Sequence, residues 1–255
     1  MRRSILTAVL AVLVALLTSC SGSDGGSSSS TTAAGGASTT AAPDGGGSTD
    51  GVPTVDQLVD ALPAASVLGD GWSETSTAFG RDDNSEESTT HELTDQCPEL
   101  KGFDLGDRSA DDSVTRNFDR TDDSSLEVRL EAEAPTTSDD ELDTLIDGLN
   151  ACTDKEFTED DGTVIHFTTT AARYTDQGEQ GLQVRFDMQV TSEAMPAPLA
   201  LSFYGVMFHH GPVGVYLSGV PGLDQSTFEA VPFDPAILST AGAAVDAKLA
   251  DLVGG

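Results

Sequence analysis

The chain has 255 residues, three cysteines and 5% aromatic residues, and its 12 Lys+Arg against 43 Asp+Glu give a formal net charge of −31. Such a charge excludes a nucleic-acid binder, which grips phosphates through Lys and Arg, and a polybasic patch for anionic lipid heads. The length allows one or two domains.

Met1-Arg2-Arg3 is a short basic start, and Ile5 to Leu17 is apolar apart from Thr7. That is the pattern of a secretory signal, too short for a membrane span of about 20 apolar residues. Leu17-Thr18-Ser19-Cys20 then has the form of a bacterial lipobox. Residues 1–19 are therefore read as a lipoprotein signal peptide and Cys20 as the lipidated residue, bearing a thioether-linked diacylglyceryl group. Two acyl chains suffice for stable anchoring, which places the rest of the chain on the outer face of the cytoplasmic membrane. Loss of Arg2 and Arg3 with the signal leaves 10 bases against 43 acids, a charge of −33.

Residues 20–51 are almost wholly Ser, Thr, Gly and Ala after the cysteine. Nothing there can be buried to offset the entropy of ordering, so a disordered tether is expected. Such a linker has an end-to-end distance of about 30 Å. Thr31-Thr32 and Ser38-Thr39-Thr40 are positions where O-glycosylation would fall; the plain reading is a spacer.

Residues 52–255 are expected to form one globular domain. Thr54-Val55-Asp56-Gln57 is a capping box, and Val55, Leu58, Val59 and Leu62 mark a helical face up to Pro63. Leu62 to Trp72 is a turn-rich connection that ends on the only tryptophan, a core anchor. Arg81 to Thr90 is polar and charged, a solvated loop. Leu126, Val128, Leu130 and Ala132 alternate with Glu127, Arg129, Glu131 and Glu133, which predicts a strand with one buried and one wet face.

Ser138-Asp139-Asp140-Glu141 is a second capping box with acids at the helix N-terminus. Leu142, Leu145, Ile146 and Leu149 would face inward on a helix ending near Asn150. With Cys20 lipidated, Cys97 and Cys152 are an even pair in an oxidising compartment, and a disulfide between them is expected. The rival, a catalytic or metal-binding cysteine, lacks a CxxC motif and a nearby His.

Strands are predicted at Thr163 to Thr170, Leu182 to Val190, Leu199 to His209 and Val213 to Val220, the last two joined by a His210-Gly211-Pro212 turn. Asp234-Pro235 offers an N-cap and an N1 proline for a closing helix to Leu252, with Ile237, Leu238, Ala241, Val245 and Leu249 on its apolar face. No helical crossover links strand to strand, so the fold class is α+β: an antiparallel sheet packed by a few helices.

The lipobox, the tether, the segment LPAASVLGDGW and the run from VGVYLSGV to AGAAVDAKLADL together carry a resemblance. The chain is similar in pattern to small actinobacterial lipoproteins related to the extracellular sensor domain of mycobacterial receptor serine/threonine kinases. That resemblance implies an antiparallel sheet with helices on one face and a cleft for an unidentified ligand. Those domains commonly hold two disulfides, whereas only Cys97 and Cys152 are available here, and no site residue transfers.

No GxSxG elbow, HExxH or Walker loop is present, and no cofactor or metal site is expected. Of His91, His166, His209 and His210, the last two are adjacent and would point to opposite faces of a strand; all are read as solvent-facing or turn residues. Acids at Asp82-Asp83, Asp111-Asp112, Asp122-Asp123 and Glu159-Asp160-Asp161 lack calcium-loop spacing and read as solvated surface.

The chain is therefore read as a non-catalytic binding or sensor-like module for a small molecule, a wall component or a protein. The alternative is an acyl-lipid carrier with an apolar cavity. Contact among Phe167, Phe186, Phe203 and Phe208 would indicate a filled core, and an empty tunnel would favour the carrier.

Overall fold

A computed structural model describes residues 51–79, 97, 112–132, 134, 136–158, 162–193, 195, 197–224, 227 and 229–253. The signal, Cys20, the tether, Arg81 to Thr90, His91 and the acids Asp82-Asp83, Asp111 and Glu159-Asp160-Asp161 lie outside them.

Both capping boxes form. The Thr54 hydroxyl accepts from the Gln57 N–H and the Gln57 side chain accepts from the Thr54 N–H, opening α1 (Val55–Ala61). Ser138 and Glu141 do the same for α2 (Asp139–Ala151). At the third helix, α3 (Ala236–Val253), the Asp234 carboxylate accepts from the Ala236 N–H at 3.0 Å. Each cap satisfies N–H groups that the first turn of a helix leaves without partners.

The strands are β1 (Trp72–Phe79), β2 (Ser113–Arg120), β3 (Ser125–Glu131), β4 (Lys155–Thr158), β5 (Val164–Tyr174), β6 (Glu179–Thr191), β7 (Leu199–His210) and β8 (Val213–Val220). They form one antiparallel sheet in the order β1-β2-β3-β8-β7-β6-β5-β4, and a small hairpin, β9 (Gly222–Asp224) with β10 (Glu229–Val231), lies apart. The predicted strands all appear, with β5 and β6 running longer than expected. Strands β1, β2, β4, β9 and β10 carry no expectation from the sequence.

The sheet has a core on each face. Helices α1 and α3 bury Leu58, Leu238, Val245 and Leu249 against Val114, Phe118, Leu126, Val128, Val215 and Leu217 on the first. Trp72 belongs to this core and meets Phe233 edge-on at 6.2 Å. On the second face, α2 sets Leu142, Leu145 and Leu149 against Phe167, Val184, Phe186 and Phe203. Burying each such side chain contributes about 1.5–3 kcal/mol. Cys97 and Cys152 join this core as a disulfide with Cα atoms 5.3 Å apart, tying the α2 C-terminus to the chain before β2. Helices thus cover both faces, where the family resemblance implied one.

Three expectations are corrected. The alternation in β3 marks two faces, but the second is not wet: Arg129 and Glu131 are only 4% and 5% exposed. They pair at 3.2 Å, and the Arg129 guanidinium lies 5.8 Å from the Tyr216 ring centre. A strand in the middle of a sheet packed on both sides leaves neither face to water. Second, the four phenylalanines do not form one group. Phe167, Phe186 and Phe203 share the α2 side, whereas Phe208 lies on the α3 side. All four are nevertheless buried. Third, His209 is a core residue at 3% exposure, because the second face of β7 stays buried to its end.

Candidate functional site: a groove beside a bare sheet face

The first face is covered unevenly. Helix α3 lies along β8 and β7 and stops there, so β5 and β6 keep exposed side chains at Thr170, Ala172, Gln183, Arg185 and Gln189. At the boundary the α3 N-terminus (Pro235, Ala236, Leu238, Ser239) rises above a floor from β5, β6 and β7, and the two enclose a groove of about 430 Å³.

The strand register gives the floor its order. Across β5, β6 and β7 the rows are Ala172, Gln183, Val206; then Thr170, Arg185, Tyr204; then Thr168, Asp187, Ser202; then His166, Gln189, Ala200. The first two rows line the groove and the others continue it onto open sheet. With strands about 4.8 Å apart and about 6.8 Å per residue pair, the field measures roughly 10 by 20 Å.

Arg185 is held in place. Its Nε and Nη2 donate to Asp187 Oδ1 at 2.9 and 2.7 Å, and Ser202 donates to the same oxygen at 2.6 Å. The guanidinium sits 5.6 Å from the Tyr204 ring centre, and Tyr204 rests on Phe233 at 6.1 Å. The Asp187 hydrogen bond pushes the Arg185 pKa up, so the charge is permanent. At the inner end Tyr174 stacks on Phe208 at 5.9 Å. Its hydroxyl is buried without a partner at hydrogen-bonding geometry. Burial raises that phenol's pKa, and the nearby Ser239 hydroxyl partly offsets the rise.

Among the described residues, histidines and acids do not assemble into a second site. His166 Nε2 meets Asp154 at 2.9 Å and His210 Nδ1 meets Asp246 at 2.7 Å, each an isolated pair. Burial holds His209 below its usual pKa, against the opposing charge of Glu179. Asp122 lies in the β2–β3 turn. Burial pushes its pKa up, but hydrogen bonds from Ser124 and the Arg120 charge outweigh this and hold it low. Among the described residues no group of three or more His, Cys, Asp or Glu is placed to hold a metal ion.

The floor residues went unnoticed in the sequence as a site. Gln183, Arg185, Asp187 and Gln189 alternate with Val184, Phe186, Met188 and Val190 in the sequence, but periodicity does not say that α3 stops short of them. Tyr174 and Tyr204 give no signal.

No family model matches the chain. No curated protein matches it either. Among solved structures it is similar to the extracellular domain of PknH from Mycobacterium tuberculosis, at 13% identity and a TM-score of 0.42 over 80% of this chain and 97% of that one.

Proposed function

We propose that the chain is a membrane-anchored extracytoplasmic lipoprotein, held by a diacylglyceryl group on Cys20 and a disordered tether, whose single domain (residues 52–255) binds a ligand without catalysis. The ligand is a small molecule, a wall component or a protein segment seated in the groove beside α3. The observation that carries this reading is the groove itself, an open volume of about 430 Å³ beside an uncovered stretch of sheet. Concave sites of this size, with a few convergent polar groups, are the usual setting for ligands.

The acyl-carrier alternative draws less support. Phe167, Phe186, Phe203 and Phe208 fill the two cores at 1–5% exposure, and the groove is floored in part by Thr170, Gln183 and Arg185. Among the described residues no helix is long and apolar enough to cross a membrane.

Native mass spectrometry of the full chain extracted from its own membranes tests the reading. A non-lipid adduct on the wild type that is lost from Ala172→Trp, which fills the groove, is the expected result. An adduct that persists in that variant contradicts the groove, and a bound acyl lipid favours the carrier.

A further inference from the structure

The groove floor carries almost no net charge on a very acidic protein. Only Asp24, Asp44 and Asp50 of the 43 acids lie on the tether, so 40 belong to the domain. Yet the four rows of the floor hold one acid, Asp187, and one permanent base, Arg185, and these two are paired. The field of the rest of the surface repels anions and gathers cations, while this patch offers neither a charge to hold.

The patch offers hydrogen bonds in both senses. Arg185 engages Asp187 through Nε and Nη2, and Asp187 uses Oδ1. Arg185 Nη1 and Asp187 Oδ2 take no part in that pairing, so the fixed pair keeps one donor and one acceptor for a ligand. Gln183, one row away, carries an exposed amide with the same two functions. Thr170 adds a hydroxyl at the groove. A ligand that satisfies such a set must donate and accept through closely spaced neutral groups. Adjacent hydroxyls do this: one accepts from Nη1 while the other donates to Oδ2.

We infer that the groove and the bare sheet beside it take a neutral, hydroxyl-rich chain, a linear oligosaccharide, with a vicinal diol on the Arg185–Asp187 pair. This rests on the groove reading and names its ligand class. A field of roughly 10 by 20 Å suits an extended chain better than a compact metabolite. Tyr204, under the guanidinium, keeps the pair flat, as an aromatic face does for a cation.

Titration of the full lipidated chain in detergent decides the matter. The probes are neutral linear hexasaccharides (β-1,4-glucan, α-1,4-glucan, α-1,6-mannan), an oligogalacturonate of equal length, and inorganic phosphate. At least one neutral hexasaccharide is expected to bind, with an affinity nearly constant between roughly 0.05 and 0.5 M salt, since no net charge is screened. Asp187→Asn and Gln183→Ala should each weaken it about tenfold, one hydrogen bond's worth, with an unchanged unfolding temperature for the exposed Gln183→Ala.

Failure of every neutral hexasaccharide overturns the inference. If oligogalacturonate or phosphate binds instead and Ala172→Trp abolishes that binding, the ligand class is wrong and the groove reading stands. If a neutral sugar binds equally to Ala172→Trp, Gln183→Ala and Asp187→Asn, the site is wrong and both fall.

Discussion

Removal of the Cys97–Cys152 disulfide should lower the stability of the domain by an amount set mainly by the loop it closes. The two cysteines are 55 residues apart, and chain entropy assigns a loop of that length about 4 kcal/mol. That loop contains β2, β3 and α2, elements from both cores, so freeing it in the unfolded state affects the whole sheet. In a domain of this size each kcal/mol moves the unfolding temperature by about 2–4 °C, which predicts a fall of roughly 8–16 °C. Calorimetry of the wild type with and without reductant, beside Cys97→Ala/Cys152→Ala, measures it. Both sulfurs are buried, so the alanine pair adds a cavity cost that reduction alone does not. A fall of less than roughly 3 °C on reduction would refute the reasoning, as would two thiols that react freely in the native protein without reductant.

Other predictions follow from single contacts. Leu145→Ala removes a side chain 2% exposed beneath α2 and should cost about 2–5 kcal/mol in urea unfolding; a loss near zero would mean that α2 does not pack there. At Gly222 an added Cβ would run into the Asp122 carbonyl oxygen, so Gly222→Ala should destabilise by about 1–3 kcal/mol, with an unchanged stability counting against that close approach. Burial raises the Glu127 carboxyl's pKa, with Arg129 opposing. The charged form is therefore disfavoured in the fold above the ordinary value of 4.5 and carries no such cost below it. Glu127→Gln should stabilise at neutral pH, and the gain should fade as pH falls through the raised value and be gone by 4.5; a destabilised variant at pH 7 would contradict this. His209, held below 6.5 by burial, makes the unfolded state bind the extra proton first. Stability should therefore drop as pH falls below 6.5, and His209→Phe should flatten that slope.

Features that rest on neighbours in the chain were legible. The Thr54 and Ser138 caps need only side chains three residues apart, and the alternation of Val184, Phe186, Met188 and Val190 alone orders β6. Strand β8 reads from its own valines, Tyr216 and Leu217. By contrast β1 and β2 are mostly polar, with few apolar positions, and pairing makes them strands, β2 against β3 and β1 against β2. Nor does alternation reveal what lies over a face: Glu127, Arg129 and Glu131 read as wet because nothing in their spacing announces a second core. The groove suffers the same loss. Arg185 and Asp187 stand two residues apart on one face of β6, but the open floor depends on where α3 ends over the sheet.

The most direct test of the central claim, a binding domain hung from the outer membrane face, is the mass of the mature N-terminal peptide from protein in its native membranes. The account predicts a chain that begins at Cys20 and carries a thioether-linked diacylglyceryl group, and that enters the detergent phase on partition until Cys20→Ser releases it. A chain still beginning at Met1, or a mature chain with an unmodified Cys20 thiol, would contradict it.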